Sequence, residues 1–361
     1  MVLAWSLACS VGSSGTRVEP TFLDVKLGDI ETGTAEAPLA FSAAGISVPL
    51  SVSALDVRGE PFAHTGPLVV TVRPGRITGT PSIDMVDGVW SGTLTIAAPF
   101  GPTRIWASDE DTTDGRTAAW SSGVSGEITY ALPTLSEMQT TTDHETNNLA
   151  GEYAEVRVED RQAVVTALDA AGFWVTDIAD PPASFASLYV YTFSKPPDEV
   201  VPGARLSSLT GINQEYLAST QFSFPTLTVA PDETFAVPGA AVLDAGTACD
   251  DLSMEALEAS RVRAENATIP TTFLPDSDAF ADFLAYGQWP IEIGACTVYV
   301  ESGTTVPSWY PPDHAGESIA YVEGMLKEVY GKWILVVLDA EGIAGAPGGP
   351  VPVSRTHSRS P

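Results

Sequence analysis

Between residues 18 and about 132 the chain consists of short runs in which apolar and polar side chains alternate. Ile46-Ser47-Val48-Pro49-Leu50-Ser51-Val52 is the longest, and Leu68–Val72, Thr93–Ile96, Arg104–Ala107 and Gly126–Tyr130 repeat the pattern. Successive side chains of a strand point to opposite faces, so a period of two describes a strand with one face in a core and one in water. Turn chemistry separates the runs: Arg58-Gly59-Glu60-Pro61, Arg73-Pro74-Gly75, Asp87-Gly88 and Phe100-Gly101-Pro102. Roughly seven strands of this kind predict an antiparallel sandwich. Trp90 and Trp106 read as core residues.

A polar, Thr-rich stretch, Ser136–Asn148, closes this region. Beyond it the pattern changes to strands of five or six residues with tight connections. They are Glu155–Val158, Ala163–Ala167, Gly172–Asp177, Leu188–Tyr191 and Gly203–Gly211. The order then returns. Val298-Tyr299-Val300 echoes Leu188-Tyr189-Val190, and an offset of 113 pairs Gly203 with Gly316, Leu206 with Ile319, Leu209 with Val322, Gly211 with Gly324 and Glu215 with Glu328. This is an internal duplication of a period too long for a solenoid, so it predicts two similar domains. The glycines fit the sharp bends and bulges that close a small barrel.

Asp87-Gly88-Val89-Trp90-Ser91-Gly92-Thr93-Leu94-Thr95-Ile96 resembles a central strand pair of the immunoglobulin-like sandwiches of bacterial surface proteins, in their disulfide-free form. Gly172-Phe173-Trp174-Val175-Thr176-Asp177, followed by Leu188-Tyr189-Val190-Tyr191 and the Gly203–Gly211 segment, resembles the OB-fold-type modules that accompany secreted bacterial nucleases and occur in large surface lipoproteins. Met254–Glu258 and Val262-Arg263 resemble the start of a second such module. The expected fold is all-β: an immunoglobulin-like β-sandwich (18–132), a linker (133–148), and two related OB-like β-barrels (149–240 and 241–345). A signal remnant and tether (1–17) and a disordered tail (346–361) complete the division. The resemblance implies an oligonucleotide- or oligosaccharide-binding barrel face. Its candidate residues are Phe173, Trp174, Tyr189, Tyr191 and Tyr216, with barrel core as the competing reading of the same aromatics.

Charge narrows the partners. The chain of 361 residues carries 17 Lys and Arg against 46 Asp and Glu, a net charge of −29. Gripping nucleic acid needs clustered basic residues, and Arg157, Arg161, Lys195 and Arg205 are scattered among carboxylates, so nucleic acid is not the expected ligand. Electrostatic docking on anionic lipid is disfavoured equally. An extracellular ligand, polysaccharide or protein, remains.

The chain opens Met1-Val2-Leu3-Ala4-Trp5-Ser6-Leu7-Ala8-Cys9-Ser10, which looks like the tail of a bacterial lipoprotein signal with Cys9 as the lipidated residue, although Ser6 stands where Leu is usual. A frayed terminus with a free thiol is the alternative. Export, to the outer membrane, periplasm or cell surface, follows from the first reading, with the membrane reached only through a lipid anchor. Cys249 and Cys296 are then left as an even pair, either a disulfide or two buried thiols. Asp109, Asp111 and Asp114 lie in the loop Asp109–Gly115 as a candidate calcium site, against the reading of a solvated acidic loop.

No zinc spacing, nucleophile elbow, P-loop or dinucleotide fingerprint is present, and His64, His144, His314 and His357 are not at metal-ligand spacing. With every segment assigned to a sandwich or barrel, the expectation is a non-catalytic adhesion or ligand-binding scaffold without an organic cofactor. An accessory nucleic-acid-binding module is the alternative.

Overall fold

A computed structural model describes residues 22–109, 122–144, 146–149 and 151–345. The chain divides into two compact units between Tyr130 and Ala131. The fold is all-β: an immunoglobulin-like sandwich followed by two OB-like barrels.

The sandwich comprises β1 (Phe22–Leu27), β2 (Ile46–Leu55), β3 (Gly66–Arg73), β4 (Arg76–Ile77), β5 (Ser82–Met85), β6 (Val89–Ala97), β7 (Gly101–Ser108), β8 (Gly123–Val124) and β9 (Ile128–Tyr130). One sheet has the order β1-β2-β6-β4 and the other β5-β3-β7-β8, with β9 also on β7. Val48, Leu50, Val52 and Ala54 of β2 meet Leu68, Val70 and Val72 of β3 and Ile105 and Ala107 of β7 in one core. Fully burying such a side chain is worth about 1.5–3 kcal/mol, so the alternation alone fixes which face turns inward. Trp90 packs against that core from its edge. Trp106 departs from the expectation: it sits between inward-facing Ile105 and Ala107 and is therefore on the outer, half-buried face.

The second unit begins with α1 (Leu135–Gln139), held by a capping box between Thr134 and Glu137. Barrel 1 is built from β10 (Tyr153–Glu155), β11 (Ala163–Leu168), β12 (Gly172–Asp177), β13 (Ser187–Tyr191), β14 (Ala204–Tyr216) and β15 (Ser219–Thr234). The order β14-β11-β12-β13-β15 closes through β14–β15, and the β13–β15 pair is parallel. Barrel 2 adds β16 (Ala241–Leu243), α2 (Ala245–Ala248), α3 (Asp251–Glu255), β17 (Arg261–Thr268), α4 (Asp278–Tyr286), β18 (Gln288–Ile293), β19 (Cys296–Glu301), β20 (Ser318–Val329) and β21 (Lys332–Val336). It closes in the same way, with a parallel β19–β21 pair and β17 against β20. Cys249 and Cys296 form a disulfide between the end of α2 and the start of β19.

The duplication is visible residue by residue. Asn213 faces Phe222 and Leu326 faces Leu335, while Glu215 faces Thr220 and Glu328 faces Trp333, so the closing hairpins share one register at the offset of 113. Gly203 and Gly316, which precede the paired strands, both have left-handed backbones (φ 92° and 85°) that a side chain would strain. The repeat also reaches upstream. Gly151 N donates to Asn213 O at 2.7 Å and Ala259 N to Leu326 O at 2.8 Å, the same bond with an offset of 108 on the donor side. The copies also differ in their strands and connections. The first strand of barrel 1 is interrupted between β10 and β11, whereas β17 is continuous. Residues 169–171 suffice to join β11 to β12, whereas α4 is inserted between β17 and β18.

Candidate functional site

A cleft of about 570 Å³ opens where the two barrels meet, within the size range of small-ligand sites. Barrel 1 supplies one wall from Asp169 in the β11–β12 turn, Trp174 on β12, Tyr189 and Tyr191 on β13, Gln214 and Tyr216 on β14, and Ser219, Gln221, Ser223 and Phe224 on β15. Alternate residues of a strand share a face, which is how Tyr189 and Tyr191, or Gln214 and Tyr216, come to stand together. The opposite wall comes from barrel 2, through Ala259, Gln288, Glu301, Leu326, Lys327, Val329 and Val336. At the inner end Trp174 and Ala167 pack with Ala259 and Met325, so the barrels close on each other behind the cleft.

The aromatic wall is graded from buried to exposed. Trp174 lies 5.0 Å from Tyr189 between ring centroids, and Phe193 lies 4.4 Å from Tyr191 and 4.7 Å from Phe224, each of these pairs tilted by less than 50°. Phe193 and Phe224 are more than half exposed, and both have left-handed backbones, with φ of 63° and 52°. For a bulky side chain that conformation costs on the order of 1–3 kcal/mol and persists only where the surroundings impose it. Tyr216 stands exposed on the other rim.

The polar groups of the cleft are mostly amides and hydroxyls. Ser223 Oγ donates to Gln214 Oε1 at 2.6 Å, and Gln221 Nε2 reaches Ser223 Oγ at 3.4 Å. The charged groups are already engaged. Asp169 accepts the Tyr189 hydroxyl at 2.9 Å and the Ala171 N–H at 2.7 Å. Glu301 accepts from Gln288 and pairs with Lys327, each at 3.0 Å. Burial, followed by the Asp169 charge, holds the Tyr189 hydroxyl well above the usual phenol range, so it remains a donor.

A second constellation is buried between the same barrels. Glu258 accepts Thr220 N at 3.0 Å from barrel 1 and Glu328 N at 3.4 Å from barrel 2. Glu215 accepts the Thr220 hydroxyl at 2.6 Å and the Asn147 amide. His144 Nδ1 lies 3.1 Å from Glu328, itself almost fully buried. Glu255, equivalent to Asn147 at the upstream offset, completes the group. Burial first, then the charges of Glu258, Glu215, Glu328 and Asp143, push its carboxyl up to about 10. Burial likewise pushes Glu258 up to about 8, against the hydrogen bonds it accepts, and raises Glu215. Glu255 Oε2, Glu215 Oε2 and Asn213 Oδ1 are buried without a hydrogen-bond partner among the described residues. Four carboxylates cannot all stay ionised at such burial. Among the described residues no three His, Cys, Asp or Glu side chains are grouped so as to hold a metal ion.

Trp174, Tyr189, Tyr191 and Tyr216 all line the cleft, whereas Phe173 points into the closed interior of barrel 1 and is fully buried. Phe193 and Phe224 complete the rim, exposed beside Tyr191. Cys9, Asp111 and Asp114 lie outside the described residues, and Asp109 ends the described part of its loop. The paired glutamates of the duplication, Glu215 and Glu328, converge on Glu258 rather than on the cleft. Arg157, Arg161, Lys195 and Arg205 each pair with a carboxylate. Compared with protein-family models and with curated proteins, the chain matches none.

Proposed function

We propose that the protein is a non-catalytic binding scaffold, exported and held at the bacterial surface by a lipid on Cys9, whose ligand occupies the cleft between the two barrels. The observation that carries this reading is the graded aromatic wall with two strained, exposed rim phenylalanines. Exposed aromatics facing unspent amides serve recognition, and backbone strain concentrates at functional positions. The non-catalytic part rests on the engagement of Asp169 and Glu301 with partners inside the cleft and on the position of His144 and its glutamates behind it. The accessory nucleic-acid reading finds aromatic faces here, but among the described residues the cation beside them, Lys327, is paired with Glu301.

The test is a titration of the full chain, read by tryptophan fluorescence, against neutral oligosaccharides, a single-stranded oligonucleotide and an unfolded polypeptide. Saturable binding of one class, lost in the Tyr216→Ala/Phe224→Ala variant, is the expected result. Indifference to all three, or binding unchanged in that variant, refutes the assignment of the cleft. Anchoring is tested separately: the wild type should partition with membranes and Cys9→Ala should not, and a freely soluble wild type in cells would remove the anchor.

A further inference from the structure

Barrel 2 contains the counterpart of the aromatic face and shows what has been altered there. By register, Tyr299 corresponds to Tyr189 and Pro290 to Trp174, because Trp174 faces Tyr189 across β12–β13 and Pro290 faces Tyr299 across β18–β19. In barrel 2 the tyrosine ring is covered by the Lys332 ammonium, 4.8 Å from its centroid, and Lys332 is held by Asp282 of α4 at 2.7 Å. Phe280 and Phe283 of α4 anchor that helix against the barrel 2 core. The copy with the inserted helix has proline at the tryptophan position and a covered tyrosine. The copy with the three-residue turn has Trp174 and Tyr189 together with Phe193, Phe224 and Tyr216 on the cleft.

The cleft is selective in its chemistry. The cation among the described residues that line it, Lys327 of barrel 2, is paired with Glu301, and the carboxylate of the barrel 1 wall, Asp169, accepts two hydrogen bonds. A phosphate or carboxylate on a ligand would have to displace Glu301 from Lys327. Leaving a charge without its partner in a partly desolvated site is costly. Hydroxyl groups incur no such penalty. Gln214 Nε2 and Gln221 Oε1 make no hydrogen bond to a described residue, although Gln214 Oε1 and Gln221 Nε2 are used. The free amide donors of Gln214 and the free acceptor of Gln221, side by side on β14 and β15, match a group that can both donate and accept. Aromatic rings tilted stepwise along the wall offer apolar faces to the C–H surfaces of successive pyranose rings.

We infer that the cleft binds a neutral oligosaccharide, an uncharged polyhydroxylated chain gripped by Tyr191, Phe193, Phe224 and Tyr216 and hydrogen-bonded by Gln214 and Gln221. This inference rests on the cleft being the ligand site. Its test is calorimetry with the full chain against neutral hexamers of β-1,4-linked glucose, mannose, xylose and N-acetylglucosamine, with hexamers of a uronic acid and a single-stranded oligonucleotide alongside. At least one neutral hexamer should bind, with an affinity that does not change between low and high salt, and should bind at least about tenfold more weakly to Tyr191→Ala and to Gln214→Ala. Tyr286→Ala, on α4 and outside the cleft, should bind like the wild type. Binding of the uronic acid or oligonucleotide in preference, or a steep salt dependence, overturns the sugar class and leaves the cleft standing as a site. Neutral binding that is equal in the wild type and the cleft variants overturns the site itself. Failure of every neutral hexamer overturns the inference.

Discussion

The Glu258 carboxylate accepts the backbone N–H of Thr220 at 3.0 Å while its other oxygen reaches the backbone N–H of Glu328. One side chain thus ties the closing hairpin of barrel 1 to the paired strand of barrel 2, and it does so with Glu215, Glu255, Asp143 and His144 around it.

Stability is therefore expected to fall with alkali. Glu255 and Glu258 titrate well above the ordinary carboxyl value in the folded protein, and Glu215 is raised in the same sense. Between the unfolded and folded values the native state holds more protons than the unfolded chain, so stability decreases as pH rises. The contribution is complete below about pH 4.5, declines through about 8, and is exhausted above about 10. Thermal melts from acid to alkaline pH should show the second unit losing several degrees, whereas Glu255→Gln should flatten the dependence. A melting temperature of that unit that rises with pH would contradict the shared-proton arrangement.

The disulfide should matter to one barrel. Closing a loop between residues 47 apart limits the unfolded chain and is worth roughly 4 kcal/mol in the chain-entropy treatment. Reduction, or Cys249→Ser with Cys296→Ser, should lower the melting transition of the second unit and leave that of the sandwich unchanged, which differential scanning calorimetry resolves.

Gly211 and Gly324 are equivalent in the repeat but should not respond equally to alanine. A Cβ at Gly324 would stand 2.5 Å from the Val336 carbonyl oxygen, a backbone atom. At Gly211 the nearest atoms, at 2.9–3.0 Å, belong to the Phe222 side chain. Gly324→Ala is expected to cost the larger part of the usual 1–3 kcal/mol of overpacking, and Gly211→Ala less. Urea unfolding of the two variants decides the order.

Phe224→Asn should separate stability from binding. Asn accepts a left-handed backbone more readily than Phe, and Phe224 buries little surface. The variant should melt no lower than the wild type, within about 0.5 kcal/mol or better, while binding in the cleft weakens. A marked loss of stability would show that Phe224 serves packing instead.

The sandwich strands were legible because alternation states which face is buried, as in Ile46–Val52 within β2, and the short apolar run Gly172–Asp177 is β12 to the residue. The duplication was legible from spaced glycines, and the structure extends it upstream, where Asn147 and Glu255 share no chemistry that spacing could reveal. Helix α4 was missed although Ser277 caps its start and left-handed Gly287 its end, because strand patterning on both sides dominated the reading. Trp106 was misplaced because a large aromatic suggests a core, whereas its neighbours Ile105 and Ala107 already occupied the inward face. Trp174, Tyr189, Tyr191 and Tyr216 were identifiable as one aromatic set. The strained backbones of Phe193 and Phe224 leave no mark in composition, and the buried glutamates were hidden among 46 acidic residues.

Because the cleft takes one wall from each barrel, a guest would act as a fastener across the seam between them. Mass action then makes occupancy a thermodynamic link. The melting transition of the second unit should rise as the guest saturates, and opening the seam between the barrels would release it.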